Sequence, residues 1–232
     1  MIYVISDIHG NMKRFNSVME QINLKTDDTL YVLGDVIDRF PDGIKILIKL
    51  MNMDNVKMLL GNHEYMMLNA LDTEEENQEQ ALNTWYNNGG YVTHNYIKHI
   101  RKDTRREVFD FLNKLPLNII IEVNEKKYIL VHGSPVENYQ RIGRGYNDKR
   151  DFAVWNRWYP GDYIPEDCTL IFGHTPTINL QNDNPLKVWF GTNAIGIDCG
   201  CGFPGNETDF PYKGRLACLR LDDMKVFYSS LY

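Results

Sequence analysis

Several features that would assign a chain to a familiar class are missing from this one. Its four cysteines, Cys168, Cys199, Cys201 and Cys218, form no C-x-x-C unit. That excludes the usual zinc-ribbon and thioredoxin-like spacings, and free buried thiols in a reducing compartment are the expectation. Cys199-Gly200-Cys201 alone is a poor zinc signal, and spacing leaves a redox role for Cys199 and Cys201 open. No apolar run approaches the roughly 20 residues of a membrane-spanning helix, so no membrane association is expected. The opening Met1-Ile2-Tyr3-Val4-Ile5-Ser6-Asp7 has no basic n-region, which argues against a secretory leader and for a cytoplasmic protein. No Lys/Arg block stands out either. The densest basic stretch, Arg101, Lys102, Arg105 and Arg106, fits a solvated helix face. With 25 basic against 31 acidic side chains the formal charge is −6, so no nucleic acid partner is expected. Repeats and low-complexity tracts are absent.

What remains is enough for one folded unit. With 43% apolar and 12% aromatic content over 232 residues, residues 1–232 are expected to form a single domain with a sizeable core. Up to about residue 71 the chain alternates strand and helix. Met12, Phe15, Val18, Met19 and Ile22 trace one helical face, as do Ile44, Leu47, Ile48 and Met51 after Asp42. Such spacing makes βαβ units with a buried, largely parallel sheet. Residues 72–116 read as a small helical insertion over the ligand edge of that sheet. Thr73-Glu74-Glu75-Glu76 and Thr104-Arg105-Arg106-Glu107 fit capping boxes, and Asn87-Asn88-Gly89-Gly90 marks a break between helices. His94 and His99 lie there, in exposed or capping roles. From Leu117 onward the pattern is mostly β, ending in a hairpin at Asp222-Asp223. Residues 133–168 and 179–215 are expected to be long loops.

Four short clusters carry the chemistry: Asp7-Ile8-His9, Gly34-Asp35-Val36-Ile37-Asp38-Arg39, Gly61-Asn62-His63-Glu64 and Gly173-His174-Thr175. Each follows an apolar run that reads as a strand: Ile2 to Ser6, Thr29 to Leu33, Val56 to Leu60 and Thr169 to Phe172. His132-Gly133 follows a fifth, Tyr128 to Val131. Of the six histidines, His9, His63, His132 and His174 all sit at such ends. Open α/β folds gather ligand sites at the carboxyl ends of neighbouring strands. A metal-dependent hydrolase site is the reading.

Asp7 and His9 are two apart, so on an extended strand end they point to one side and can share an ion. Asp35 can bridge two ions with its two oxygens. Asn62, His132 and His174 are neutral donors that can complete the shell of the second ion. Mixed carboxylate, amide and imidazole ligation suits Mn²⁺, Fe or Zn²⁺ better than Ca²⁺ or Mg²⁺. Two divalent ions outweigh Asp7, Asp35 and a bridging hydroxide, so the centre stays positive, and Arg39 adds to that. Such a pocket attracts phosphate, and two ions ~3.5–4 Å apart can activate an attacking hydroxide while clamping phosphoryl oxygens. His63 points away from a ligating Asn62 and is free to act as an acid, with Asp38 holding its other ring nitrogen. Glu64 is at least as well explained as a helix-start charge as by catalysis.

These clusters resemble the calcineurin-like metallophosphoesterase superfamily. Within it, the chain is similar to the phosphoprotein phosphatase branch, the phage lambda type and related bacterial serine/threonine phosphatases. The resemblance runs from about Tyr3 to about Leu221, with softer matches at Trp85 to Gly90 and Val154-Trp155-Asn156-Arg157. It implies an α/β fold, a four-layer α/β/β/α sandwich of two mixed sheets flanked by helices. It implies two divalent metal ions, most often Mn²⁺. Asp7, His9 and Asp35 would hold one, and Asp35, Asn62, His132 and His174 the other. His63 and Asp38 would form the acid pair, and Arg39 and Arg157 would grip phosphate. Phe40-Pro41 after Arg39 and Gly133-Ser134-Pro135 after His132 depart from the pattern; the first stiffens the loop beside the substrate groove.

The activity so implied is hydrolysis of phosphoserine or phosphothreonine, with phosphotyrosine and small phosphoesters as further substrates. The alternative is a symmetrical dinucleoside tetraphosphate hydrolase, whose family tends to lack the second aspartate of GDxxDR and to carry GNHD. Asp38 and Glu64 favour the phosphatase. An end-healing nucleic-acid phosphatase is disfavoured by the acidic balance. A metal-free scaffold is disfavoured because every expected ligand and His63 are present.

Overall fold

The computed structural model describes residues 1–71, 78–165, 167–203 and 213–230. Its frame is two five-stranded mixed sheets. The first contains β1 (Ile2–Ile5), β2 (Thr29–Val32), β3 (Val56–Met58), β9 (Ala217–Arg220) and β10 (Lys225–Tyr228), in the order β10-β9-β1-β2-β3. The second contains β4 (Asn118–Val123), β5 (Lys126–Val131), β6 (Cys168–Phe172), β7 (Trp189–Phe190) and β8 (Ala194–Gly196), in the order β4-β5-β6-β8-β7. Strands β1, β2 and β3 run parallel, as do β5, β6 and β8.

Where the apolar runs are continuous, as in β1 and β2, the strand is covered on both faces. In β1, Tyr3 and Ile5 face the helices while Val4 faces the other sheet. Leu30 and Val32 divide from Tyr31 and Leu33 in the same way. Across the sandwich, Tyr128, Leu130 and Ile171 meet Val4, Tyr31 and Leu219. Six helices lie on the first sheet: α1 (Met12–Ile22), α2 (Gly43–Met51), α3 (Asn62–Leu71), α4 (Gln78–Asn87), α5 (Tyr91–Ile97) and α6 (Lys102–Asn113). Phe15, Leu47, Met67, Trp85, Ile97 and Leu112 are their deepest contributions. Two short helices, α7 (Tyr139–Ile142) and α8 (Lys149–Trp155), follow β5. The outer face of the second sheet, built from Ile129, Val131, Leu170 and Phe172, is covered by Trp158, Ile164, Leu180 and Trp189. The frame is therefore the expected pair of mixed sheets flanked by helices, with the outer face of the second sheet closed by loop residues and by Trp189 of β7.

Local expectations differ from the structure in three places. Helix α6 begins at Lys102 after an extended Arg101 that makes no side-chain cap. Thr104 thus lies inside the helix, and the box at Thr104 to Glu107 does not form, because the chain turns two residues earlier. The box at Thr73 to Glu76 lies outside the described residues. The stretches 133–168 and 179–215 are not wholly loop, since α7, α8 and β7 occupy parts of them. Their elements are too short for a periodicity to show in sequence.

Candidate functional site

The carboxyl ends of β1, β2, β3, β5 and β6 deliver the clusters to one place. Asp7, His9, Asp35, Arg39, Asn62, His63, Arg157 and His174 line a common cleft, with Asp38 and His132 fully buried against it. The backbone there is unusual. Asp7, His9, Asp35, Asp38, Arg39 and His174 all have positive φ, between 50° and 71°. Non-glycine residues avoid this region and keep it only where the surroundings fix it. Gly61 and Gly173 make room for the crowding. A Cβ on Gly61 would lie 2.3 Å from Asp35 Oδ1, and one on Gly173 would lie 2.4 Å from Asp7 Oδ2.

Asp35 is the centre of the arrangement. Its Oδ2 is 3.8 Å from His9 Nε2 and 3.9 Å from His63 Nε2, while its Oδ1 is 3.4 Å from His132 Nε2. His132 Nε2 is also 2.9 Å from Asn62 Oδ1. Asp7 Oδ1 is 4.0 Å from His9 Nε2, and both Asp7 oxygens accept from His174 N, at 3.2 and 3.1 Å. The groups His9/Asp35/His63 and Asp35/His132/His174 each bring their ligand atoms within 4.8 Å of one another. Asp35 belongs to both.

This donor set fits two divalent cations. His9 Nδ1 is tied to the Ile37 carbonyl at 3.2 Å and His132 Nδ1 to the Leu33 carbonyl at 2.6 Å. Each bond fixes the tautomer and leaves the Nε2 lone pair facing Asp35, the usual arrangement around ligating imidazoles. His174 uses Nε2 against the Trp155 carbonyl, 3.2 Å away, which leaves Nδ1 as its donor. Burial, with Arg39 and His63 nearby, keeps the His9 imidazole neutral well below the usual histidine range; burial, with His132 and Arg157, does the same at His174. Burial opposes ionisation of Asp35, but His132, His63, His9 and His174 outweigh it and hold its carboxyl below the ordinary range. Asp7 is raised by burial, with a further push from Asp35.

His63 falls in the first group by distance, yet its surroundings differ from those of the other imidazoles. Its Nδ1 is 2.7 Å from Asp38 Oδ2, and Arg39 Nη2 lies 3.3 Å from its Nε2. A guanidinium on that nitrogen opposes a cation there. Burial works against charging His63, but Asp35 and the Asp38 hydrogen bond prevail and raise it. Arg157 is an exposed residue that reaches back to the cleft, where its Nη1 donates to the His174 carbonyl. The Trp155 ring stands edge-on to His174.

Three contributors were not legible in the sequence as site residues. Glu64 is fully buried and accepts from the backbone N–H of Asp35 and Val36, both at 2.8 Å, and of Ile37 and Gly61, both at 3.2 Å. It is an acid in the first turn of α3 and also a staple for the Asp35 loop. Burial and the charge of Asp35 push its carboxyl up to about 7, against the pull of the Asp35 and Val36 amides. Asp198, after β8, lines the cleft and is raised well above its usual range by burial and by Asp7. Only its position after an apolar run could have flagged it. Trp85 donates its indole N–H to Asp38 Oδ2 at 2.8 Å. His94 and His99 lie outside the metal-competent groups; they meet the Tyr86 hydroxyl and the Asn95 carbonyl.

Comparison with known proteins gives the family of the chain. A family model described as calcineurin-like phosphoesterase matches residues 1–199. Serine/threonine-protein phosphatase 2 of Salmonella typhimurium is 31% identical over 91% of this chain and 93% of its own length. The symmetrical bis(5'-nucleosyl)-tetraphosphatase of Proteus mirabilis is 26% identical over 92% of this chain and 72% of its own. The crystal structure of a metallophosphoesterase from Sphaerobacter thermophilus shares the fold, with a TM-score of 0.57 at 17% identity, over 98% of this chain and 87% of that one. The chain belongs to the calcineurin-like phosphoesterase family.

Proposed function

We propose that the protein is a metal-dependent phosphomonoesterase acting on phosphoserine and phosphothreonine, with phosphotyrosine as a further substrate. The observation that carries the reading is the His63–Asp38 pair, 2.7 Å apart beside Asp35, with Arg39 and Arg157 in the same cleft. A seryl alkoxide is a poor leaving group and needs a proton; a nucleoside polyphosphate leaves readily without one. A built acid pair is therefore of most use to a monoesterase. The likeness to a relative named as a serine/threonine phosphatase supports the same choice.

Asp7, His9 and Asp35 would hold one cation, and Asp35, Asn62, His132 and His174 the other, with Mn²⁺ first and Fe or Zn²⁺ also suited to the donors. Bound there, two divalent ions supply positive charge to the phosphoryl oxygens and acidify the attacking water. Arg39 and Arg157 orient the phosphate with planar donor pairs. His63 gives its Nε2 proton to the leaving oxygen, while Asp38 fixes Nδ1 and stabilises the imidazolium beforehand. The four free thiols suit a reducing cytoplasm.

The second reading is hydrolysis of symmetrical dinucleoside tetraphosphates, favoured by the tetraphosphatase relatives. One panel tests both: phosphoserine and phosphotyrosine peptides, diadenosine tetraphosphate and p-nitrophenyl phosphate, each with Mn²⁺, for parent and His63→Asn. The monoesterase reading expects the phosphoserine peptide to be turned over and to suffer most from His63→Asn. Preference for diadenosine tetraphosphate, or equal losses on serine and nitrophenyl esters, would overturn it.

A further inference from the structure

We propose that Trp85 is a positioning residue for the His63–Asp38 pair, holding the Asp38 carboxylate in the orientation that aims His63 into the cleft. The inference rests on the reading of His63 as the acid. One oxygen carries the arrangement. Asp38 Oδ2 accepts from Trp85 Nε1 at 2.8 Å and meets His63 Nδ1 at 2.7 Å. The other oxygen, Oδ1, is buried with no hydrogen-bond partner among the described residues. Trp85 and Asp38 are fully buried, and His63 nearly so. In such a place a carboxylate turns toward whatever donors exist, and the indole selects the oxygen that His63 also uses.

The indole has no freedom to drift. A Cβ on Gly90 would lie 2.3 Å from Trp85 Nε1, so the Gly90 backbone rests directly on the ring. Gly90 N is in turn bonded to the Trp85 carbonyl at 3.0 Å. The same segment grips the backbone of the acid loop. Thr93 Oγ1 accepts from Asp38 N at 3.0 Å, and the Gly89 carbonyl accepts from Arg39 N at 3.1 Å. Asp38 and Arg39 are the residues with φ of 71° and 68°, a conformation that persists only when neighbours impose it. Residues 85–93 thus fix the Asp38 side chain, which orients His63, and the backbone of both Asp38 and Arg39. The alternative, a Trp that only fills the core beneath α4 and α5, makes no claim on the reaction.

Trp85→Phe keeps an aromatic ring in place and removes the N–H. The test compares kcat/KM on a phosphoserine peptide and on p-nitrophenyl phosphate, with Mn²⁺, for the parent, Trp85→Phe, Asp38→Asn, His63→Asn and the Trp85→Phe/Asp38→Asn double variant. For Trp85→Phe the expected loss is about 10- to 100-fold on the peptide and under about threefold on the nitrophenyl ester, with metal content unchanged. The double variant should be no worse than Asp38→Asn alone, since both act through one carboxylate. Equal losses on both substrates, or losses that multiply in the double variant, would overturn the proposal. If His63→Asn shows no leaving-group dependence, the acid reading falls and the proposal with it. If His63→Asn shows that dependence and Trp85→Phe does not, the proposal alone falls. Should Trp85→Phe fail to fold, the ¹⁵N-indole spectrum replaces it. Trp155, Trp158 and Trp189 are assigned by their own Phe variants, and the remaining resonance must move in Asp38→Asn; an unmoved resonance overturns the bond.

Discussion

Glu64 offers the most direct test of how the centre is held in shape. Its Oε1 accepts from the N–H of Val36 at 2.8 Å and Ile37 at 3.2 Å; its Oε2 accepts from Asp35 at 2.8 Å and Gly61 at 3.2 Å. Glutamine can satisfy one of these pairs with its carbonyl oxygen. Its NH₂ then faces the other pair, donor against donor. Two buried amides lose their partner, at about 1–3 kcal/mol each, so Glu64→Gln should cost about 2–6 kcal/mol. Against the ~5–15 kcal/mol that holds an ordinary domain together, that is a large share. Glu64→Ala orphans all four donors and should leave little folded protein. Glu64→Asp keeps both acceptor oxygens but is one methylene short, and should fall between Gln and the parent. Urea unfolding in chelator, followed by fluorescence, measures the effect without metal linkage. The expected result is a lowered midpoint at unchanged slope, in the order parent, Asp, Gln, Ala. Because the Asp35 amide is one of the four donors, retained metal should fall in the same order. A Gln variant that unfolds at the parent's midpoint and keeps its metal would refute the staple.

Three other outcomes are expected. Asp35→Asn should lower bound metal and turnover of an aryl phosphate more than Asp7→Asn does, because Asp35 faces both imidazole groups; elemental analysis and rates check this, and a harmless Asp35→Asn would contradict it. Arg157→Lys should cut kcat/KM and Arg157→Ala should weaken inhibition by phosphate or vanadate at unchanged metal content, since lysine keeps the charge but not the planar donor pair; an Ala variant with parental inhibition would remove Arg157 from the clamp. Asp223 is held at about 2, below the usual carboxylate range, by two hydrogen bonds from Arg220. A depressed acid stabilises the fold above its unfolded value and stops doing so as pH falls from about 4 to about 2; Asp223→Asn should flatten that limb of the acid unfolding curve and leave neutral-pH activity alone, and an unchanged limb would count against the pairing.

The sequence by itself determined most of the strands, the helices after Asp7 and Asp35, and which residues stand at the carboxyl ends. Strand and helix periodicity is local, so the runs before Asp7, Asp35, Asn62, His132 and His174 were legible without any contact. The pairing of His63 with Asp38, 2.7 Å apart in the structure, was expected from the family resemblance; the orientation of Asn62 only freed His63 to find a partner. Tertiary structure decided what local pattern cannot encode. Six site residues at positive φ are a conformation that their own side chains disfavour and distant hydrogen bonds impose. Glu64 looked like a helix-start charge because its partners are 27 to 29 residues away, beyond any local motif, save Gly61. Trp85 entered only as part of a softer family match, with no role attached; the approach of Asp38, 47 positions distant, gives its N–H a partner. Sequence fixes which groups stand at a strand end, because that depends on neighbours along the chain. Which oxygen each donor reaches depends on how two sheets and the helices over them pack, and the chain acquires that only on folding.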